Sequence, residues 1–302
     1  MAEEEVKQGS ENSYGAEEEL KPYLVTDPKE MSARIDALRA QGKRIGLVPT
    51  MGALHLGHLS LAIASKNECD VTVVSDFVNP TQFAPNEDYD KYPRTLDADL
   101  TLLTHIKADY VFAPSPADMY PSGFEANVHV GGVSKVLEGA FRPTHFDGVC
   151  TVVLKLFNLV RADVAYFGQK DYQQVCVVRK MVRDLNVPVE IAMKPIIRDR
   201  DGVALSSRNQ YLSDDERRQA RVLNKSLEKA KELIQGGERD SEVVYDAMRQ
   251  NIETAPSAKI DYLHIGDPES LREMERIAGN VVVLEAVRVG ATRLIDNCLI
   301  ER

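Results

Sequence analysis

Two imidazoles three residues apart, an ammonium, a guanidinium beside two hydroxyls, and two side-chain amides are the groups here whose types and spacing suggest chemistry. The imidazoles are His55 and His58, in Gly46-Leu47-Val48-Pro49-Thr50-Met51-Gly52-Ala53-Leu54-His55-Leu56-Gly57-His58-Leu59-Ser60-Leu61. That stretch opens as an apolar run, breaks at Pro49 and Gly52, and resumes with helix-compatible spacing. It reads as strand, tight turn and helix. The start of a helix exposes unpaired N–H groups and the positive end of its dipole, and phosphate binds readily there. Positions three apart share one face of the first turn, and Gly57 between the rings admits close approach. Two such histidines also fit metal ligation or a structural role. Their setting between strand and helix favours phosphate.

Three more clusters carry chemistry. In Phe167-Gly168-Gln169-Lys170-Asp171-Tyr172-Gln173-Gln174 a strand ends at Gly168 and a helix opens. Lys170 can reach phosphates gathered at the strand ends, and Gln174, one turn on, can face the same pocket. A solvated Lys–Asp pair is the plain alternative. In Asp201-Gly202-Val203-Ala204-Leu205-Ser206-Ser207-Arg208-Asn209, two hydroxyls and an arginine can grip a phosphate, or the segment is a loop between domains. Asn79-Pro80-Thr81-Gln82-Phe83 is an amide-rich strand end, and Gln82 can read a hydroxyl or carboxylate. Asp97 and Asp99 suit Mg²⁺, or simply the negative charge favoured at a helix N-terminus.

The elements that must position these groups alternate. Helical spacing at Met31, Ile35 and Leu38, strands at 44–48, 71–78, 110–113, 164–167 and 189–193, and helices at 96–106, 148–160 and 171–186 predict a Rossmann-like, doubly wound parallel sheet with helices on both faces. Residues 115–143 read as irregular. After Ile197 the rhythm changes. Ser213 caps a helix running through Leu223, Leu227, Ala230 and Leu233 to Gly236-Gly237; a second helix and three short strands follow. The expectation is an α/β domain at 21–196, a smaller α+β C-terminal domain at 197–302 that closes over the site, and a disordered acidic tail at 1–20. Deleting Met1–Leu20 is expected to leave the activity of the purified protein intact.

Composition excludes several classes. The 302 residues are 43% hydrophobic and carry a net charge of −10, which argues against nucleic acid as the main partner. No run reaches the roughly 18 apolar residues a membrane span needs, and no basic-then-apolar leader is visible. Cys69, Cys150, Cys176 and Cys298 are scattered without a Cys-x-x-Cys pair. They read as reduced, buried structural thiols of a cytosolic protein.

Taken together, Pro49 to His58, Val78 to Phe83, Phe167 to Gln174 and Ser206-Ser207-Arg208-Asn209 make the chain, from about Lys21 to its C-terminus, similar to the pantothenate synthetase (pantoate–β-alanine ligase) family of the His-x-Gly-His nucleotidyltransferase superfamily. The resemblance implies an ATP site made of Met51, Gly52, Ala53, Leu54, His55, Leu56, Gly57 and His58, completed by Gly168, Gln169, Lys170, Asp171, Ile197, Leu205, Ser206, Ser207 and Arg208. His58 is the implied proton donor. Gln82 and Gln174 would hold pantoate, with Asn79 and Tyr92 beside them, and Gln82 would border the β-alanine site. It implies a Mg²⁺-dependent cytoplasmic homodimer that turns pantoate and ATP into pantoyl adenylate and pyrophosphate; β-alanine then displaces AMP. The family's acidic pair reads Asp97-Ala98-Asp99 here, so Asp99 is the remaining metal candidate. A mixed anhydride needs shelter from water, and segments 89–94 and 115–142 are the expected closing loops. The competing readings are a related nucleotidyltransferase, a class I aminoacyl-tRNA synthetase, and a nucleotide sensor without turnover. A lysine-rich Lys-Met-Ser-Lys-Ser loop, which the synthetase reading needs, is missing.

Overall fold

The computed structural model describes residues 21–85 and 87–301; the tail expected at 1–20 lies outside the described residues. In chain order come β1 (Tyr23–Val25), α1 (Pro28–Ala40), β2 (Ile45–Thr50), α2 (Leu56–Glu68), β3 (Val71–Asp76), α3 (Leu96–His105), β4 (Tyr110–Phe112), α4 (Pro116–Met119), α5 (Glu138–Phe141), α6 (His145–Val160), β5 (Val164–Gly168), α7 (Tyr172–Asp184) and β6 (Glu190–Lys194). Then follow α8 (Asp214–Gln235), α9 (Ser241–Ile252), β7 (Ala258–Gly266), β8 (Val281–Val289) and β9 (Thr292–Ile300).

The first six strands form one parallel sheet in the order β1-β4-β3-β2-β5-β6. Its central strands β2, β3 and β5 are buried on both faces because both are covered. Ile45 and Leu47 of β2 pack with α1, α6 and α7, while Val48 joins Leu59, Ala62 and Leu103 on the opposite side. From β2 the chain moves outward through β3 and β4 on one side, and later through β5 and β6 on the other. Beside β2 the winding therefore reverses, and in open α/β sheets the crevice past the carboxyl ends at such a reversal is where ligands bind.

The remaining strands form a separate antiparallel sheet, β7-β8-β9, with α8 and α9 packed on it. Ser213 caps α8 as expected, in a reciprocal box: its hydroxyl accepts from the Glu216 amide, and the Glu216 carboxylate accepts from the Ser213 amide.

Four elements differ from expectation. β1 went unseen because three residues between Pro22 and Asp27-Pro28 are too short to show a period, yet they pair in parallel with β4. α6 begins at His145 rather than Gly148. The stretch read as irregular contains two one-turn helices, α4 and α5. The cysteines are free thiols; Cys150 and Cys176 are buried, whereas Cys69 and Cys298 are half-buried.

Candidate active site

The motif turn leaves β2 through two consecutive left-handed residues, Gly52 (φ 74°) and Ala53 (φ 50°). A side chain at Gly52 would sit 2.3 Å from Asp76 Oδ1, so only glycine fits there. What holds the turn is Asp99 on α3. It is 1% exposed, and its two oxygens accept from the Ala53 and Leu54 amides (2.9 and 2.8 Å) and from the Thr95 hydroxyl (2.9 Å). The carboxylate expected as a metal ligand is thus spent on the main chain of the turn. Among the described residues no group of three or more His, Cys, Asp or Glu is placed to hold a metal ion.

Asp76, which closes β3 and bridges to Met51, lies next to Asp99. Burial, then the Asp99 charge, push its carboxyl up to about 7 from the ordinary 3.8. An acid with a raised folded pKa binds more protons folded than unfolded, so this group's contribution is present below about 4 and is lost as pH rises towards 7. Replacing it with a group that cannot ionise removes that loss. Thermal midpoints of Asp76→Asn, relative to the parent, are expected to climb steadily between pH 4 and pH 8. Parallel midpoint curves would contradict the assignment.

His55 is not in the helix it was placed on but caps it: its Nδ1 accepts from the Gly57 amide (3.1 Å). A neutral ring accepting at Nδ1 carries its proton on Nε2. A side chain at Gly57 would meet that ring at 2.9 Å, so the glycine makes room for His55 as well as for a ligand. The His55 and His58 rings stack, 4.1 Å between centroids and 24° between planes. Burial, then the Lys170 charge, push His55 down to about 4; burial, then His55, push His58 down to about 3. His58 Nδ1 is buried and finds no hydrogen-bond partner among the described residues. Both rings are therefore neutral at pH 7, hydrogen-bond donors rather than cations.

The amide strand end is a 3₁₀ turn, Pro80–Gln82, packed against α6. Gln82 is 9% exposed; its Oε1 accepts from Asn79 (3.1 Å) and its Nε2 donates to Met51 Sδ (3.1 Å). Asn79, expected on substrate, is turned inward. Its NH₂ also donates to Gly148 O (3.2 Å), and its oxygen accepts from Tyr120 (2.7 Å) and Thr81 (2.9 Å). With its amide saturated, Asn79 scaffolds Gln82.

On the far side of β2, the turn Gln169–Asp171 places Lys170 3.7 Å from Asp171. Ile197 and Leu205 face each other across a small hairpin, where the Leu205 amide donates to Ile197 O (3.0 Å). Beyond it the Ser206 hydroxyl caps the turn Ser207–Tyr211, the Ser207 hydroxyl donates to Ala53 O (3.4 Å), and Arg208 donates to Asp88 (3.1 Å).

These pieces line one cavity of about 210 Å³. Met51, His55, Gly57 and His58 from β2–α2, Gln82 and Tyr92, Gly168, Lys170, Asp171 and Gln174, then Ile197, Leu205, Ser206, Ser207 and Arg208 line it, with Asn79 at its edge, amide turned inward. A neighbouring cavity of about 360 Å³ shares Lys170, Gln174 and Arg208. Gly52, Ala53, Leu54, Leu56 and Gln169 do not line the first cavity. The first three form the anchored turn, Leu56 is 66% exposed, and Gln169 donates to Asn297 (3.2 Å).

Sequence reasoning missed Arg142, His145 and the cavity's floor. Arg142 donates to Glu87 (2.5 and 2.6 Å) and to His145 Nε2 (3.2 Å), and His145 Nδ1–H donates to Gln82 O (2.9 Å). Burial, then Arg142, push His145 down to about 4, so this ring too is neutral. Its signal was available: a histidine opening a strongly apolar helix just after Arg142-Pro143. Phe77, Val149, Val152 and Phe167 supply an apolar floor.

A sequence model of the family described as pantoate-beta-alanine ligase matches residues 23–299. The chain is 57% identical over 258 residues to the pantothenate synthetase of Thermosipho africanus, covering 85% of this chain and 92% of that protein. It is 53% identical over 267 residues to that of Moorella thermoacetica, covering 88% and 94%. Among solved structures, pantothenate synthetase from Thermus thermophilus superposes with a TM-score of 0.87 at 43% identity, over 91% of this chain and 98% of that one. The pantoate-beta-alanine ligase of Francisella tularensis, solved with beta-gamma ATP and beta-alanine, superposes at 0.76 and 34% identity, over 92% and 97%.

Proposed function

The chain belongs to the pantoate–β-alanine ligase family, and on that premise we propose how its residues divide the work. The enzyme condenses pantoate with β-alanine at the expense of ATP. In the first step a pantoate carboxylate oxygen attacks the α-phosphorus, the bond to the bridging oxygen breaks, and pyrophosphate leaves. In the second the β-alanine amine attacks the acyl carbon, and AMP leaves as pantothenate forms.

One observation carries the division of roles: His58, Lys170 and Arg208, far apart in sequence, line a single cavity with Gln82, Gln174 and an apolar floor. The floor suits the two methyl groups of pantoate, and the amides suit its hydroxyls and carboxylate. Ile197 and Leu205, at the rim, border the nucleoside. Lys170, Ser206, Ser207 and Arg208 face the phosphates, joined by N–H groups of the two neutral histidines. Attack by a carboxylate on phosphorus moves no proton, so His58 acts here as a hydrogen-bond donor to developing charge rather than as an acid. Asp99 is a loop anchor in this reading. Among the described residues no three or more carboxylates, histidines or cysteines form a closed metal site; Mg²⁺, which keeps its waters and is usually held by one or two carboxylates plus phosphates, would arrive on the nucleotide, with the cations and donors just named meeting the rest of the phosphate charge.

The same reading places the boundary between the larger and smaller units near Ile197 and makes the enzyme a cytoplasmic homodimer. No helix among the described residues is long and apolar enough to cross a membrane. Sedimentation equilibrium checks the dimer. The reaction is checked by ATP–pyrophosphate exchange. Exchange that needs pantoate but not β-alanine is expected, with AMP and pantothenate appearing once β-alanine is added. ATP binding without either product would favour the sensor reading.

A further inference from the structure

We propose that Asn297, on β9 of the smaller unit, is a positioning residue for adenylation that acts through Lys170. The proposal rests on the assignment of Lys170 to the phosphates. The turn that carries Lys170 has no side-chain cap of its own, and neither does α7 after it. Its carbonyls are held from outside. Asn297 is 2% exposed; its NH₂ donates to Gln169 O (2.9 Å) and Lys170 O (3.0 Å), and its oxygen accepts from Gln169 Nε2 (3.2 Å). Two amide protons meet two consecutive carbonyls.

The preceding residue grips the other wall of the pocket. Asp296 pairs through both oxygens with Arg198 (2.5 and 2.9 Å), the neighbour of Ile197, and also accepts from the Asn297 amide (2.8 Å). β9 is itself fixed by its register with β8, Glu285 opposite Asp296 and Leu284 opposite Asn297. Two adjacent residues of the small sheet thus set the relative position of the Lys170 turn and the Ile197 segment. Lysine is a point charge on a flexible stem, so the place of its ammonium depends on how firmly its backbone is held. Misplacement by about 1 Å can cost up to about a hundredfold in rate.

The test is a double-mutant cycle on the full-length enzyme, read by pantoate-dependent ATP–pyrophosphate exchange. Asn297→Ala is expected to slow exchange by about ten- to thirtyfold, and Lys170→Ala by at least about tenfold. The double variant is expected to fall within about twofold of Lys170→Ala alone, because residues that act through one another are not additive. Attack of β-alanine on adenylate preformed on the enzyme, followed by quenched flow, is expected to slow clearly less than exchange does in Asn297→Ala, since two of the three phosphates have by then left as pyrophosphate and only the α-phosphate remains for Lys170 to meet. If Asn297→Ala does not fold, Asn297→Ser, which keeps one donor on a shorter arm, carries the same cycle with a smaller single loss. Losses that multiply in the double variant, or equal slowing of both half-reactions, would overturn the positioning role. Lys170→Ala at the parent rate would overturn the phosphate assignment beneath it, a different result from either.

Discussion

Replacing His58 with alanine is expected to slow pantoyl adenylate formation by about a hundred- to a thousandfold, the usual loss when one preorganised donor is removed from a transition state. The reason lies in how the ring is held. It stacks on His55, lies in the first turn of α2, and is stripped of its charge by burial. Such a group needs no reorganisation as charge builds on the phosphates. Burial also pushes its pKa down to about 3, which bears on the kcat/KM profile, the one that reports the free enzyme. Between pH 6 and 9 the parent and His58→Ala kcat/KM profiles of exchange are expected to run parallel, because no ionisation of this ring falls in that window. An acid limb present in the parent and missing in the variant would show that His58 titrates during turnover, and would restore proton donation. Undiminished exchange in the variant would remove His58 from the reaction.

Asp99→Ala is the second large effect. It strands the Ala53 and Leu54 amides and the Thr95 hydroxyl, and releases a turn with two left-handed residues, one of them not glycine. Losing a charged acceptor that satisfies buried donors costs about 3 kcal/mol, so a fall in the denaturation midpoint is expected. Because the turn delivers His55 and His58, exchange is expected to fall about a hundredfold as well. The discriminating measurement is titration with Mg²⁺. If Asp99 anchors the turn, no concentration of the ion restores the rate; if it ligates the ion, excess Mg²⁺ recovers much of it and the midpoint hardly moves.

These two cases show what the amino-acid order does and does not reveal. The His55–His58 turn was legible because Pro49 and Gly52 punctuate an apolar run and mark where a strand stops. The ends of β3 and β5 were legible for the same reason, and strand ends are where an alternating α/β chain gathers its ligands. Asp99 and Asn79 were visible as polar residues near those ends, but their direction was not. A carboxylate or amide can face a ligand or a stranded main-chain group, and only the fold decides. Arg142 and His145 are harder to read for a different reason: the start of an apolar helix marks His145, but the partner of both, the Gln82 carbonyl, is about sixty residues away in sequence (63 for His145). Asn297, 128 residues from Gln169, lies further still from any local signal.

Before any substrate arrives, the cations of the cleft are already matched: Lys170 faces Asp171, Arg208 holds Asp88, and Arg142 holds Glu87. On the proposed assignment of Lys170 and Arg208 to the phosphates, a nucleotide enters by eviction, phosphate oxygens taking places that carboxylates give up. Its grip is the difference between two sets of ion pairs, which leaves little advantage to a singly charged anion and favours a ligand that unseats several carboxylates together. When pyrophosphate departs, those carboxylates are at hand to return, so the swap that moderates entry also eases release.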